Sequence, residues 1–307
     1  MSTKIGFIGL GIMGSPMAVN LQAAGFTVSG FNRTPAKSAA LVAAGGRAAQ
    51  SIAEAITDAD VIALMLPDSP DVEIVVTGPG GVLEAAKPGA LVIDFSTIRP
   101  DAAKALAAAC ADHGLTMLDA PVSGGETGAI EATLAIMVGG VAAGFERALS
   151  ILQAVGKSVV HVGPSGSGQT VKAANQLIVA GNIQLVAEAI VLLRKRGVDP
   201  DAALDVIQGG LAGSTVLTRK RAAMLAHDFK PGFRLALHDK DLGIAIAAAR
   251  EVGAVLPLTG AMGQLVTSTV SRGDGGLDHS ALIRLVEDLS GIGEASESPG
   301  KIGDSEA

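Results

Sequence analysis

Lys4-Ile5-Gly6-Phe7-Ile8-Gly9-Leu10-Gly11-Ile12-Met13-Gly14 is the stretch that decides the fold. Lys4 to Ile8 reads as a short buried strand, three glycines follow at G-x-G-x-x-G spacing, and an apolar helix pattern continues to about Ala24. Strand, glycine turn and helix together supply a tight turn, close backbone approach to a pyrophosphate, and a helix N-terminus that favours negative charge. The glycine triplet alone is a weak signal. In this setting it predicts a dinucleotide lying along Gly9, Leu10, Gly11, Ile12, Met13 and Gly14.

Thr27 to Phe31 is the second strand, and its end is where the adenosine ribose of such a cofactor is read, about 20 residues past the glycines. Asn32-Arg33-Thr34 stands there, with no carboxylate to bind ribose hydroxyls and repel a phosphate. Arg33 beside two small polar side chains suits a 2′-phosphate. One charged hydrogen bond of about 1.5 to 3 kcal/mol would favour the phosphorylated cofactor by about tenfold to a hundredfold. The expectation is NADP(H), with NAD(H) as the other cofactor that the turn admits; Arg33 as a plain solvated turn residue is the bland alternative.

Val61 to Leu66 ending at Pro67, and Ala90 to Phe95 ending at Ser96-Thr97, continue the alternation, each followed by a helical stretch. Repeated units of this kind imply a parallel, doubly wound sheet, with ligands outside the carboxyl ends of its strands. Leu66, Pro67 and Thr97 are thereby expected along the cofactor crevice. Thr116 to Ala120 is a further strand, ending in Pro121-Val122-Ser123-Gly124-Gly125. A hydroxyl followed by two glycines leaves backbone N–H groups unhindered for a small carboxylate, and Glu126, Thr127 and Gly128 read as a continuation of that turn. Leu134 to Val138 and Val159 to Val162, with an Ala142 to Ala154 helix between them, complete the sheet.

From Gly163 the pattern changes. Gly163-Pro164-Ser165-Gly166-Ser167-Gly168 runs into apolar positions at helical spacing through Leu193, closed by Arg194-Lys195-Arg196-Gly197. At ~1.5 Å per residue this is roughly 45 Å of helix, long enough to bridge domains. Lys172 and Asn175 lie three apart inside it, which puts both side chains on one face. They are the candidate reaction centre, set against the bland reading of a solvated lysine and a helix-start asparagine. Shorter helices follow at Pro200 to Gln208, Val216 to Leu225, Lys240 to Val252, Leu258 to Ser271 and His279 to Leu289. The expected organisation is an α/β Rossmann-type domain over 1–163, an all-α domain over 164–290 joined through the long helix, and a disordered tail over 291–307.

Composition narrows the function. The 307 residues carry a net charge of −7 with no Tyr or Trp and seven Phe, so the cationic stripe and stacking platforms of a nucleic-acid binder are missing. Cys110 is the single cysteine, which excludes an internal disulfide and fits a reducing compartment. A lysine and then a strand at the N-terminus give no secretory pattern, so a cytoplasmic protein is expected. Two long uncharged stretches, Ile5 to Asn32 and Val252 to Ser271, are broken by glycines, prolines and polar residues and read as buried elements rather than membrane spans. His113, His161, His227, His238 and His279 show no metal-ligand spacing, and no metal is expected.

Four motifs in order, Gly9-x-Gly11-x-Met13-Gly14, Asp119 to Gly125, Gly163 to Asn175 and Lys240-Asp241-Leu242, make nearly the whole chain resemble the β-hydroxyacid dehydrogenases. That family includes 3-hydroxyisobutyrate dehydrogenase and is related to phosphogluconate dehydrogenase. Gly209 to Ser214, Phe229 to Arg234 and Asp278 to Leu282 look like its tartronate semialdehyde reductase branch. The resemblance implies reversible NAD(P)H-dependent reduction of tartronate semialdehyde to D-glycerate, an all-helical C-terminal domain, and a homodimer or homotetramer. It implies Lys172 as catalytic acid, Asn175 as substrate partner, Ser123, Gly124 and Gly125 as the carboxylate site, and Lys240 closing over the cofactor. A sibling acting on 3-hydroxyisobutyrate or another short β-hydroxy acid is the alternative, and a non-catalytic NADPH-binding protein a remote one. One departure stands out, Ile130-Glu131-Ala132-Thr133 in a turn that commonly carries glycine; Asp239, between His238 and Lys240, is a further position at which the family's usual residue is not assumed.

Overall fold

The computed structural model describes residues 2–292. Of the expected tail, the part beyond Ile292 lies outside the described residues. The chain divides into two compact units, Met1–Asn175 with Ala247–Gly253 and Gln176–Ile246 with Ala254–Ala307.

The first unit runs β1 (Lys4–Ile8), α1 (Gly14–Ala23), β2 (Thr27–Phe31), α2 (Ala39–Ala43), β3 (Arg47–Ala48), α3 (Ile52–Ile56), β4 (Val61–Leu64), α4 (Ser69–Thr77), α5 (Val82–Ala85), β5 (Leu91–Asp94), α6 (Pro100–Asp112), β6 (Thr116–Asp119), β7 (Val122–Ser123), α7 (Gly125–Ile130), β8 (Leu134–Gly139), α8 (Ala142–Gln153), β9 (Gly156–Gly163) and the start of α9 (Ser167–Lys195). The first six strands lie in the order β3-β2-β1-β4-β5-β6, all parallel. That order reverses between β1 and β4, the switch point where a nucleotide binds in such sheets. Alternate residues feed two cores, as a sheet covered on both faces requires. Phe7, Val61, Ala63, Leu91 and Ile93 face one core, and Ile8, Ile62, Leu64 and Val92 the other.

Two expectations are corrected here. Parallel pairing stops at β6: β8 pairs antiparallel with β6 and β7, and β9 runs parallel to β8. The chain reverses between β7 and β8, in residues 124–133, a connection shorter than the dozen or more residues that a crossover between parallel strands takes. Glu126, Thr127 and Gly128 are helical, in α7, rather than part of an open turn. The long helix begins at Ser167, within the glycine-rich turn that leads into it, because Gly163 and Gly166 hold φ of +142° and +87°, a region that helical residues do not use.

The second unit continues α9 and adds α10 (Pro200–Gly209), α11 (Thr215–Ala226), α12 (Leu235–Glu251, with its last turn counted in the first unit), α13 (Pro257–Ser271) and α14 (Leu282–Leu289). Ala180, Ile183, Ala187 and Ile190 of α9 pack with Leu204, Leu217, Leu235, Leu242, Val266 and Leu282 into its core. By length and composition alone α9 is long and apolar enough to cross a membrane, and 39% of its most apolar window is buried.

Candidate active site

The three glycines after β1 serve different ends. Gly9 holds φ +98°, and a Cβ there would sit 2.2 Å from the Met65 carbonyl oxygen. A Cβ on Gly14 would sit 1.9 Å from the Gly9 oxygen, so the first turn of α1 rests on the loop itself. Around Gly11 a Cβ would meet nothing within 4 Å. Two glycines are thus required by the fold and the middle one leaves open space, as close approach of a pyrophosphate needs. Ile12 is exposed and Met13 half-buried, whereas the Leu10 side chain is fully buried, so Leu10 can meet a ligand only through its backbone.

Asn32 Oδ1 accepts the Leu10 N–H at 3.0 Å, and its Nδ2 donates to the Thr34 carbonyl at 3.2 Å. Asn32 therefore pins the glycine loop to the end of β2. Arg33 and Thr34 are exposed, and the guanidinium lies 3.5 Å from Asp71 at the start of α4. Leu66 donates its N–H to Ser96 Oγ at 2.9 Å, and Pro67 is exposed with Thr97 half-buried at the same edge of the sheet.

Beyond β7, Gly124 holds φ +146° and Gly125 φ +66°, and a Cβ on Gly125 would meet nothing within 4 Å. Asn20 of α1 donates to the Ala129 carbonyl of α7 at 2.8 Å. The helix after the dinucleotide turn is thus tied to the helix after Ser123.

Lys172 is 5% exposed and Asn175 half-buried. A solvated lysine is therefore not what the structure contains; lysine is almost never buried without a partner. The turn that carries it is held by residues to which sequence reading assigned no role. Asp119 accepts the N–H groups of Gly166 at 2.7 Å and Gln169 at 3.0 Å. Gln169 accepts from the Ile98 N–H at 3.1 Å and donates to the Ser96 carbonyl at 2.8 Å. Burial pushes the Asp119 carboxyl up from 3.8 against the pull of the Gly166, Gln169 and Gly168 N–H groups. The partners are 47 to 73 positions apart, so no local pattern announces them.

Lys240 belongs to the second unit, where its Nζ lies 3.1 Å from Asp241 Oδ1 and Gln176 Nε2 donates to Asp241 Oδ2 at 2.6 Å. In the same unit Asp278 joins two of the stretches that carried the branch resemblance, accepting the N–H groups of Gly232 and Phe233 at 3.0 Å each.

This arrangement of a dinucleotide turn, an open glycine loop and a buried lysine on the sheet's carboxyl edge is that of a nicotinamide-dependent oxidoreductase. Residues 4–163 match the NAD binding domain of 6-phosphogluconate dehydrogenase, and residues 166–286 match a second family, described as the NAD-binding of NADP-dependent 3-hydroxyisobutyrate dehydrogenase. The chain is 41% identical to 2-hydroxy-3-oxopropionate reductase of Escherichia coli K12 over 92% of its length and 97% of that protein's. It is 39% identical to 2-(hydroxymethyl)glutarate dehydrogenase of Eubacterium barkeri, over 95% and 97% of the two chains. The solved structure of Mycobacterium tuberculosis 3-hydroxyisobutyrate dehydrogenase with L-serine superposes with a TM-score of 0.85 at 38% identity, covering 93% of this chain and 99% of that one. The chain belongs to the β-hydroxyacid dehydrogenase family, and it is an NAD(P)-dependent oxidoreductase of that family.

Proposed function

We propose that this protein reduces tartronate semialdehyde to D-glycerate, with NADPH as the preferred reductant. Lys172 carries the reading: a nearly buried lysine, one turn from Asn175, on the helix that follows the glycine-rich approach. When bound, the reduced nicotinamide supplies a hydride to the aldehyde carbon. The carbonyl oxygen then needs one proton, and the Lys172 ammonium is the group proposed to donate it. Asn175 orients a substrate oxygen by hydrogen bonding without changing charge. Ser123 with the Gly124 and Gly125 backbone holds the carboxylate and so fixes which face of the aldehyde is presented. Lys240 is the residue proposed to close over the cofactor. For the cofactor's other end, the absence of a carboxylate in Asn32-Arg33-Thr34 and the exposure of Arg33 support NADPH.

The 41% identity to the E. coli reductase supports the substrate. The 38–39% identity to proteins named for 3-hydroxyisobutyrate and 2-(hydroxymethyl)glutarate supports, as a second reading, a sibling β-hydroxy acid. Oxidation of NADPH and NADH with tartronate semialdehyde and methylmalonate semialdehyde, side by side, separates them. Faster turnover of the first aldehyde, with NADPH, is expected. Lys172→Ala is expected to lower kcat by about 10² to 10⁴ while leaving cofactor binding intact. Near-normal turnover in that variant would mean that another group carries the proton.

We also infer a homo-oligomer built on α9. Val171, Ile178, Leu185 and Leu192 are 37%, 59%, 64% and 64% exposed. They recur every seven residues, so they form one seam about 30 Å long.

A further inference from the structure

Asp119, at the end of β6, is a carboxylate 3% exposed to solvent. Burying such a charge is unfavourable unless hydrogen bonds replace its water. The replacements come from the Gly166 and Gln169 N–H groups, at and just before the first turn of the 29-residue α9. Helix N-termini leave such donors without internal partners and favour an anion. The space around the carboxylate is closed by missing side chains. A Cβ on Gly139 would lie 2.5 Å from Oδ1, and one on Gly168 would lie 2.9 Å from Oδ2 and 2.4 Å from the Met137 carbonyl oxygen. The glycines ahead of Lys172 therefore let the helix settle directly onto β6 and β8.

From this anchor the bonds continue across the sheet's carboxyl edge. The Gln169 side chain bridges to Ser96 and Ile98 beyond β5, and Ser96 Oγ takes the Leu66 N–H beyond β4. One side chain thus links the strand that leads, four residues later, into Ser123 with the helical turn that leads, three residues after Gln169, to Lys172. Asn175 follows one turn further on the same face.

We propose that Asp119 is a positioning residue for the reaction centre: it fixes the start of α9, and with Gln169 it sets Lys172 and Asn175 relative to the Ser123–Gly125 loop. The proposal rests on Lys172 as the proton carrier. Asp119 itself touches no substrate. Its effect is geometric, and a displacement of about 1 Å in a reacting group can lower the rate by about 10²-fold.

The test is Asp119→Asn, which keeps the shape but removes the charge and turns an amide NH₂ toward one of the two helix N–H groups. Expected are a fall in kcat of about 10- to 100-fold, a smaller change in KM for the aldehyde, and an NADPH dissociation constant within about twofold of the unaltered protein, since the dinucleotide turn is untouched. In a Lys172→Ala background the same substitution is expected to change the residual rate by less than about twofold, because a residue acting through Lys172 has nothing left to position. Gly168→Ala keeps the carboxylate but forces the helix off Met137, and the same kcat-weighted loss is expected; it carries the test if Asp119→Asn does not fold. Unchanged kcat in a folded Asp119→Asn protein, with Lys172→Ala inactive, overturns the positioning role alone. Equal losses in kcat and NADPH affinity, or the same loss in both backgrounds, overturn it in favour of a purely structural group. Near-normal turnover of Lys172→Ala by itself removes the proton carrier and the proposal with it.

Discussion

Arg33 reaches solvent at the end of β2 with Asp71 3.5 Å away, so a cofactor 2′-phosphate placed there would meet an attracting and a repelling charge together. Removing the cation should weaken NADPH binding by about tenfold to a hundredfold, the value of one charged hydrogen bond, and leave NADH nearly unaffected. Removing the anion should act the other way. With the Arg33 side chain 83% exposed the pair is weak, and Asp71→Asn is expected to tighten NADPH by about two- to fivefold. Fluorescence titration of each variant with both cofactors measures this, and weaker NADPH binding by Asp71→Asn would assign Asp71 to the cofactor instead. A second residue carries strain. Ala132 holds φ +55° in the turn where glycine was the expected residue. A left-handed alanine costs about 1 to 2 kcal/mol, partly offset by glycine's greater freedom in the unfolded chain. Ala132→Gly should therefore raise stability by about 0.5 to 1 kcal/mol, read as a melting temperature about 1 to 4 °C higher.

Elements differ in how openly the sequence displays them. β1, the glycine turn and α1 were legible because every determinant lies within about 20 consecutive residues: a buried strand, glycines at fixed spacing, and a helical period. Lys172 and Asn175 were legible as a pair for the same reason. The burial of Lys172 was not, nor were the hydrogen bonds of Asp119, whose partners lie 47 and 50 positions away in the chain. The reversal at β8 was hidden too, since an alternating strand pattern carries no direction. In the second unit, Phe229 to Arg234 and Asp278 to Leu282 looked like separate signatures, yet Asp278 makes them one element. It accepts from Lys220 of α11 at 2.9 Å, from Gly232 and Phe233 at 3.0 Å, and from the Ser280 hydroxyl at 2.7 Å. Burial alone would raise this carboxyl; His279, Lys220 and Ser280 outweigh it and hold it at about 2 instead of 3.8. A depressed folded-state value means that the ionised group stabilises the fold above its unfolded value, and that this contribution is lost as pH falls from 3.8 toward about 2. The contribution at neutral pH is about 2 kcal/mol by linkage. Asp278→Asn should cost about that much at pH 7 and flatten the acid limb of a stability-against-pH curve. An unchanged acid limb would place the acid sensitivity on other carboxylates.

At the scale of the whole molecule, the exposed seam of α9 sets the remaining expectation. One side of the helix is committed to the core through Ala180, Ile183, Ala187 and Ile190, which a helix surrounded by lipid would not need. The other side offers Val171, Ile178, Leu185 and Leu192. Residues 293–307 are a poor cover for it, being mostly Gly, Ser, Glu and Asp with Ile302 as their one large apolar side chain. A second copy fits better, because the seam is self-complementary. Ile178 and Leu185 lie equally far on either side of the midpoint between Gly181 and Asn182, as do Val171 and Leu192. Two α9 helices placed antiparallel about a two-fold axis at that point would set Ile178 against the partner's Leu185 on both sides of the axis, the isologous arrangement of closed dimers. The seven-residue spacing drifts by about 20° per repeat on a straight helix, which favours a shallow left-handed crossing. A charge near the centre should then be the most disruptive change. Ile178→Glu or Leu185→Glu is expected to shift the protein to a smaller species in light scattering coupled to size exclusion, and to lower a melting temperature that depends on protein concentration in the unaltered chain. Val206→Glu on α10, 79% exposed and off the seam, should leave the assembly as it is. Were the two seam variants to assemble like the unaltered protein, the interface would have to lie on another face.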